Sequence, residues 1–153
     1  MSPEGVGLGV WLRRHPLRAV LVVLAAITAL TGVAEILAPA ALLTLLGAVP
    51  TPLAAQLFAT VGLFMVVVGG LLTQSLLRQT PHRDVVLWSG VQKAGAVVAV
   101  AVGVLNGVFG PIALLVAAFD LVTAVLVFVY WQRLRTRIAS ARPRTPTRND
   151  DRS

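Results

Sequence analysis

Residues 85–132, VVLWSGVQKAGAVVAVAVGVLNGVFGPIALLVAAFDLVTAVLVFVYWQ, carry two charges in 48 positions, Lys93 and Asp120. A water-soluble helix alternates a buried stripe with a solvated face, and this run has no solvated face. A helix needs about 20 predominantly apolar residues to cross roughly 30 Å of hydrocarbon, so the run holds two crossings. Asn106, Gly107, Gly110 and Pro111 are helix-ending and turn residues and divide it into spans at 85–106 and 111–132. Upstream, the 59 residues between Arg18 and Arg78 carry one formal charge, Glu35, and Pro39, Gly47, Pro50 and Pro52 divide them into spans at 19–38 and 53–77. A chain with 57% hydrophobic residues, 12% charged residues and a mean hydropathy of +0.85 is too apolar for a water-soluble domain. The expected fold is all-α, an integral-membrane four-helix bundle over 19–132, with a basic flank at 1–18 and an Arg-rich tail at 133–153.

The segment from Pro39 to Pro52, with its apolar core Ala41–Leu46, is too short to cross and too apolar for an ordinary loop. Two readings stand: a short helix in or near the membrane interface, or an extension of the first span past a proline kink, which membrane helices tolerate.

Arg13, Arg14 and Arg18 precede the first span, Arg78 and Arg83 lie between the second and third, and seven arginines follow the fourth. The two opposite loops carry none, so the positive-inside rule places both termini in the cytoplasm and the chain in the inner (plasma) membrane. Trp11, Trp88, Tyr130 and Trp131 fall at the same expected interface, where an amphipathic ring faces lipid and headgroup together. Ala38-Pro39-Ala40 has the form of a signal-peptidase site, but the apolar run before it is longer than a signal peptide's h-region. The Arg13-Arg14 pair is followed by His15-Pro16, where a twin-arginine signal wants a bulky apolar residue, and reads as a basic anchor.

After about residue 140 the tail has almost nothing apolar and is expected to be disordered. The expected partner of Arg133, Arg135, Arg137, Arg142 and Arg144 is anionic lipid at the cytoplasmic face, each arginine adding about 1 kcal/mol near a negative leaflet. The tail is free of aromatic residues, and no nucleic-acid partner is expected.

Three ionisable residues lie within spans, and an intramembrane charge is a functional candidate because its placement is costly. Lys93 and Asp120 stand on consecutive antiparallel spans at depths differing by about 5 Å, within reach of a lysine stem. Alone, each costs about 2.5–3.5 kcal/mol on the insertion scale, so they are expected to pair, either as a lock for the bundle or as a ligand or proton site. Ala113, Ala117, Asp120 and Ala124 recur at helical spacing, as do Ser89, Lys93, Ala96 and Gly103, giving small-residue faces that allow close approach. Glu35, Gln56 and Asn106 are all expected toward the outer side, as a polar vestibule above the pair; the simpler account has Glu35 and Gln56 reaching headgroups. Gly69-Gly70 marks a kink or a close helix contact.

Other chemistry lacks its residues. The chain has no cysteine, which excludes disulfides, thiolate metal sites and thiol catalysis. His15 and His82 have no partner at metal-ligand spacing, so no metal and no cofactor is expected. The Gly5–Gly9 stretch lacks the strand, helix and Lys-Ser/Thr of a phosphate loop, and no catalytic constellation is present.

The pattern His82-Arg83 … Trp88-Ser89-Gly90-Val91-Gln92-Lys93 … Asp120-Leu121-Val122, preceded by Ala38-Pro39 … Leu45-Leu46-Gly47, resembles the small four-helix membrane proteins of the DoxX-like kind over residues 15–135. The resemblance implies a four-helix bundle and, through DoxX itself, a small subunit associated with quinone-linked sulfur oxidation. The residues of this chain point to a non-enzymatic accessory subunit, or a binder of a small amphiphile such as a quinone or lipid, with a membrane-protein partner. The alternative is a minimal proton-coupled carrier acting as a homodimer, in which Asp120 or Glu35 titrates. An enzyme of lipid or quinone chemistry comes third. The orientation is checked with reporters fused after Ser153: green fluorescent protein is expected to fluoresce and alkaline phosphatase to be inactive, and an active phosphatase would reverse the topology.

Overall fold

The computed structural model describes residues 16–140. Trp11, Arg13, Arg14, His15, the Gly5–Gly9 stretch, Arg142, Arg144 and the tail expected to be disordered lie outside the described residues, and of Arg137 only the backbone is described. Among the described residues there are five helices and no strand: α1 (Pro16–Leu37), α2 (Pro39–Leu45), α3 (Pro52–Leu77), α4 (Arg83–Leu105) and α5 (Ala113–Ser140). Four of them, all but α2, are long and apolar enough to cross a membrane.

Proline and glycine set the boundaries. Pro16, Pro39 and Pro52 each open a helix, where the missing N–H is not needed. Pro39 also forces the residue before it out of the helical region: Ala38 sits at φ −138°, ψ 51°, and the helix is interrupted there between α1 and α2. Thr51 caps α3, its hydroxyl accepting the Ala54 N–H at 3.2 Å. Both α2 and α4 end in a Schellman turn. Gly47 takes φ +76° while Ala48 N–H donates to the Leu43 carbonyl at 2.9 Å; Gly107 takes φ +70° while Val108 N–H donates to the Gly103 carbonyl at 2.8 Å. The fourth span begins at Ala113 rather than at Pro111, because 111 and 112 complete the turn, with Ala113 N–H on the Gly110 carbonyl at 3.0 Å.

In α1 the buried residues are Arg18, Leu21, Ala25, Thr28, Gly32 and Glu35, and in α5 they include Ala113, Ala117, Asp120, Ala124 and Val127. Steps of three and four residues make each set a narrow seam along one helix face. The chain packs mainly as two antiparallel hairpins, α1 on α3 and α4 on α5, with lighter contacts between α3 and α4 and between α1 and α5. This arrangement is compatible with the four-helix bundle read from the sequence.

The α1–α3 seam depends on backbone approach. A Cβ on Gly62 would lie 2.6 Å from the Gly32 carbonyl oxygen, and one on Gly69 would lie 2.8 Å from the Ala25 carbonyl oxygen. Gly69 is therefore a close helix contact, while Gly70 faces open space. Close approach replaces, within the seam, the hydrophobic drive that lipid cannot supply between helices.

At the end that carries the N-terminus of α1 and the α3–α4 connection, Leu21, Ala25, Leu72, Leu76, Val86 and Val127 form a dense apolar core. Elsewhere the spans are apolar outward: Leu30, Leu57, Val98 and Leu115 are exposed, and only 17–33% of each span's apolar window is buried within the protein. Such a surface is compatible with surrounding lipid. Gly62→Ala is expected to lower stability by about 1–3 kcal/mol through overpacking, whereas Gly70→Ala leaves it unchanged or slightly raised; unfolding in mixed micelles measures both, and equal effects would remove the seam from this account.

Candidate functional site

The seams of α4 and α5 bring Lys93 and Asp120 together inside the protein. Lys93 Nζ donates to Asp120 Oδ1 at 2.5 Å, with both side chains buried, and lies 5.4 Å from the centre of the Phe119 ring, where the ring's quadrupole attracts it further. Ser89, Lys93 and Gly103 on α4 and Ala113, Ala117, Asp120 and Ala124 on α5 are buried, with Ala96 half-buried beside them. Small neighbours leave room for a lysine stem to run between helices. Removing one member of such a pair strands the other without compensation, whereas replacing both by apolar groups is often tolerated.

Glu35 joins the same region. It is 7% exposed, and its Oε2 is buried with no hydrogen-bond partner. Gly62 admits it: a Cβ at that position would lie 2.7 Å from Glu35 Cβ. Glu35 and Asp120 line one cavity of about 220 Å³, walled by residues of all four long helices and of α2. Leu42, Leu45 and Leu46 cover it from the α2 side, and Phe109 closes the α4–α5 turn beside them. Gly110 N–H donates to the Leu46 carbonyl at 2.8 Å and holds those two segments together. Lys93 and Asp120 also line a neighbouring cavity of about 260 Å³, with Thr28 and Phe119.

The other vestibule residues do not join Glu35. Gln56 and Asn106 are exposed, and neither lines the Glu35 cavity. Gln56 falls in the second turn of α3, before the helix meets the seam, and Asn106 is the C-cap of α4, at a chain reversal. Nearness to one membrane face put all three at the same height; helix rotation separates them. Glu35 itself points into the protein and not to headgroups.

At the opposite end Arg18 differs from its reading as the last residue of a solvated flank. It is buried within α1, its Nε donates to the Leu76 carbonyl at 2.5 Å and its Nη2 donates to the Arg78 carbonyl. A guanidinium thereby satisfies carbonyls that the end of α3 leaves open, where the helix dipole also favours a cation. Its apolar neighbours gave no sign of this in the sequence. Ser75 Oγ accepts the His82 N–H at 2.9 Å, and Arg78 donates to His82 Nε2 at 2.9 Å. Arg83 and Arg135 lie 5.1 and 5.9 Å from the Trp131 ring centre. Arg133 and Arg135 are exposed, as is Trp88, while Tyr130 and Trp131 pack against the core. No group of three His, Cys, Asp or Glu among the described residues is placed to hold a metal ion.

Comparison with known protein families, with characterised proteins and with solved structures yields no match to this chain. The geometry therefore defines the class, four apolar helices compatible with a multi-pass membrane protein and a buried ion pair beside a cavity, without a relative to extend it.

Lys93→Met alone is expected to cost about 3–5 kcal/mol by leaving Asp120 buried and unpaired, seen as loss of folded, detergent-extractable protein. Lys93→Met with Asp120→Leu is expected to recover most of the folded yield, and a double variant as poor as the single would show that the pairing is not what Lys93 contributes.

Proposed function

We propose that this chain is a non-enzymatic protein of the inner membrane, with both termini cytoplasmic and α2 at the outer interface, that binds a small amphiphile as an accessory subunit. The observation that carries the reading is the cavity of about 220 Å³ with apolar walls and two carboxylates, Glu35 and Asp120. Ligand sites have this composition: mostly apolar lining with a few placed polar groups that orient the ligand. An apolar body is at home against Leu42, Val61, Met65 and Val100, and a polar head against Glu35. The resemblance to DoxX-like proteins supports a quinone or lipid as the amphiphile and a membrane protein as the partner. At the cytoplasmic face, the exposed Arg133 and Arg135, with Arg137, Arg142 and Arg144, meet anionic headgroups.

A homodimeric proton-coupled carrier is the second reading, favoured by the two carboxylates, Glu35 and Asp120, that share the cavity. It predicts proton flux in proteoliposomes, where an accessory binder gives none.

The binding reading is tested by purifying the protein in mild detergent and identifying extracted small molecules by mass spectrometry. One amphiphile is expected at near one per chain, and to be lost from Val100→Phe, which fills the cavity from α4 without altering the small residues of the Lys93 seam. No amphiphile enriched over the solubilised membrane would contradict it.

A further inference from the structure

We propose that the head recognised in this cavity is an ammonium, bound through N–H donors to Glu35; the inference rests on the amphiphile-binding reading and names its ligand class. The polar side chains among the described residues lining the cavity are Thr31, Glu35 and Asp120. Each offers the cavity an acceptor. Glu35 Oε2 is buried without a hydrogen-bond partner, in a residue more than nine-tenths buried. The Thr31 hydroxyl spends its proton on the Ile27 carbonyl at 2.9 Å, which leaves only lone pairs. Asp120 carries its charge to Lys93, and Lys93 lines the neighbouring cavity rather than this one.

A ligand that brings only acceptors would leave Glu35 Oε2 unsatisfied, and an unsatisfied buried acceptor forfeits its hydration with nothing in return. An anion would add repulsion from both carboxylates. A donor fits, and charge selects among donors. Once Glu35 is ionised, two carboxylates, Glu35 and Asp120, face one ammonium, Lys93, and the cluster calls for one more positive charge. A second ammonium supplies it and donates to Glu35 Oε2 in a charge-assisted bond, stronger than a neutral one. Phe58 and Phe109 also stand in the cavity wall, and aromatic rings attract ammonium groups. The apolar remainder of the lining takes the ligand's alkyl body.

The test uses the full chain in phosphatidylcholine nanodiscs and three probes with the same six-carbon body: hexylammonium, hexanol and hexanoate. Affinities are measured by calorimetry against empty discs. Hexylammonium is expected to bind at least about tenfold more tightly than hexanol, with hexanoate weakest. Glu35→Gln is expected to weaken hexylammonium by about tenfold or more and to leave hexanol nearly unchanged. The probe series on the unaltered protein decides the matter even if that variant does not fold. Hexanol binding as tightly as hexylammonium, hexanoate binding as tightly as either, or a folded Glu35→Gln protein with undiminished ammonium affinity would each overturn the ammonium head while leaving the amphiphile reading intact. No binding by any probe would overturn both. Repeating the titration in discs that contain phosphatidylethanolamine separates two sources of the same chemistry: competition identifies a lipid headgroup, and unchanged affinity identifies a free amine.

Discussion

An ion in hydrocarbon has no water to solvate it, so it must find its counter-charge inside the protein. The Lys93–Asp120 contact at 2.5 Å answers that constraint, and much of the surrounding architecture serves it. The two residues meet because α4 and α5 run antiparallel, with alanine and glycine at the seam positions around them. Replacing those small residues would push the helices apart and strand two charges in an apolar interior. A tight hairpin and a buried pair are thus one requirement.

Glu35 disturbs that balance. It comes from the other hairpin, admitted by the missing side chain of Gly62, and gives the interior a carboxylate with an unpartnered oxygen. The two hairpins meet each other lightly, and between them, under α2, lies the cavity into which this excess acceptor capacity is directed. At the opposite end Leu21, Leu72, Leu76, Val86 and Val127 fill the space, and Arg18 ties α1 to the carbonyls at the end of α3. The apolar core fills the interior at one end, and the Glu35 cavity lies toward the other.

Much of this was legible in the residues. Charge-poor runs cut by proline and glycine marked four long helices, with ends within about three residues of those observed except that α5 runs on to Ser140 rather than stopping at 132. Opposite charges on consecutive runs pointed to Lys93 and Asp120 as neighbours. What escaped was rotation and long-range contact. Depth alone grouped Glu35 with Gln56 and Asn106, and the angle around the helix axis separated them. The repeat of Gly62 and Gly69 on α3 opposite Ala25 and Gly32 on α1, seven residues apart in each case, was the signal for the seam; the Gly69-Gly70 pair was visible by itself, but only Gly69 makes the close contact and Gly70 meets nothing. Arg18 looked like one more basic anchor, since a partner 58 residues away leaves no local pattern. The interruption between α1 and α2 follows from Pro39 and Ala38, yet proline kinks inside membrane helices are common enough that the break itself had to be observed.

Lys93 is the single lysine of the chain, so a lysine ¹⁵Nζ label reports on one site. Solid-state NMR dipolar recoupling between that nitrogen and ¹³Cγ of labelled aspartate, on the protein in lipid bilayers, measures the central contact directly. Strong dephasing of the lone lysine signal, as a Nζ to Oδ1 contact of 2.5 Å requires, and its loss in Asp120→Asn made with unlabelled asparagine, is the expected result. A lysine signal that shows no coupling to any aspartate carboxylate would contradict the account at its foundation.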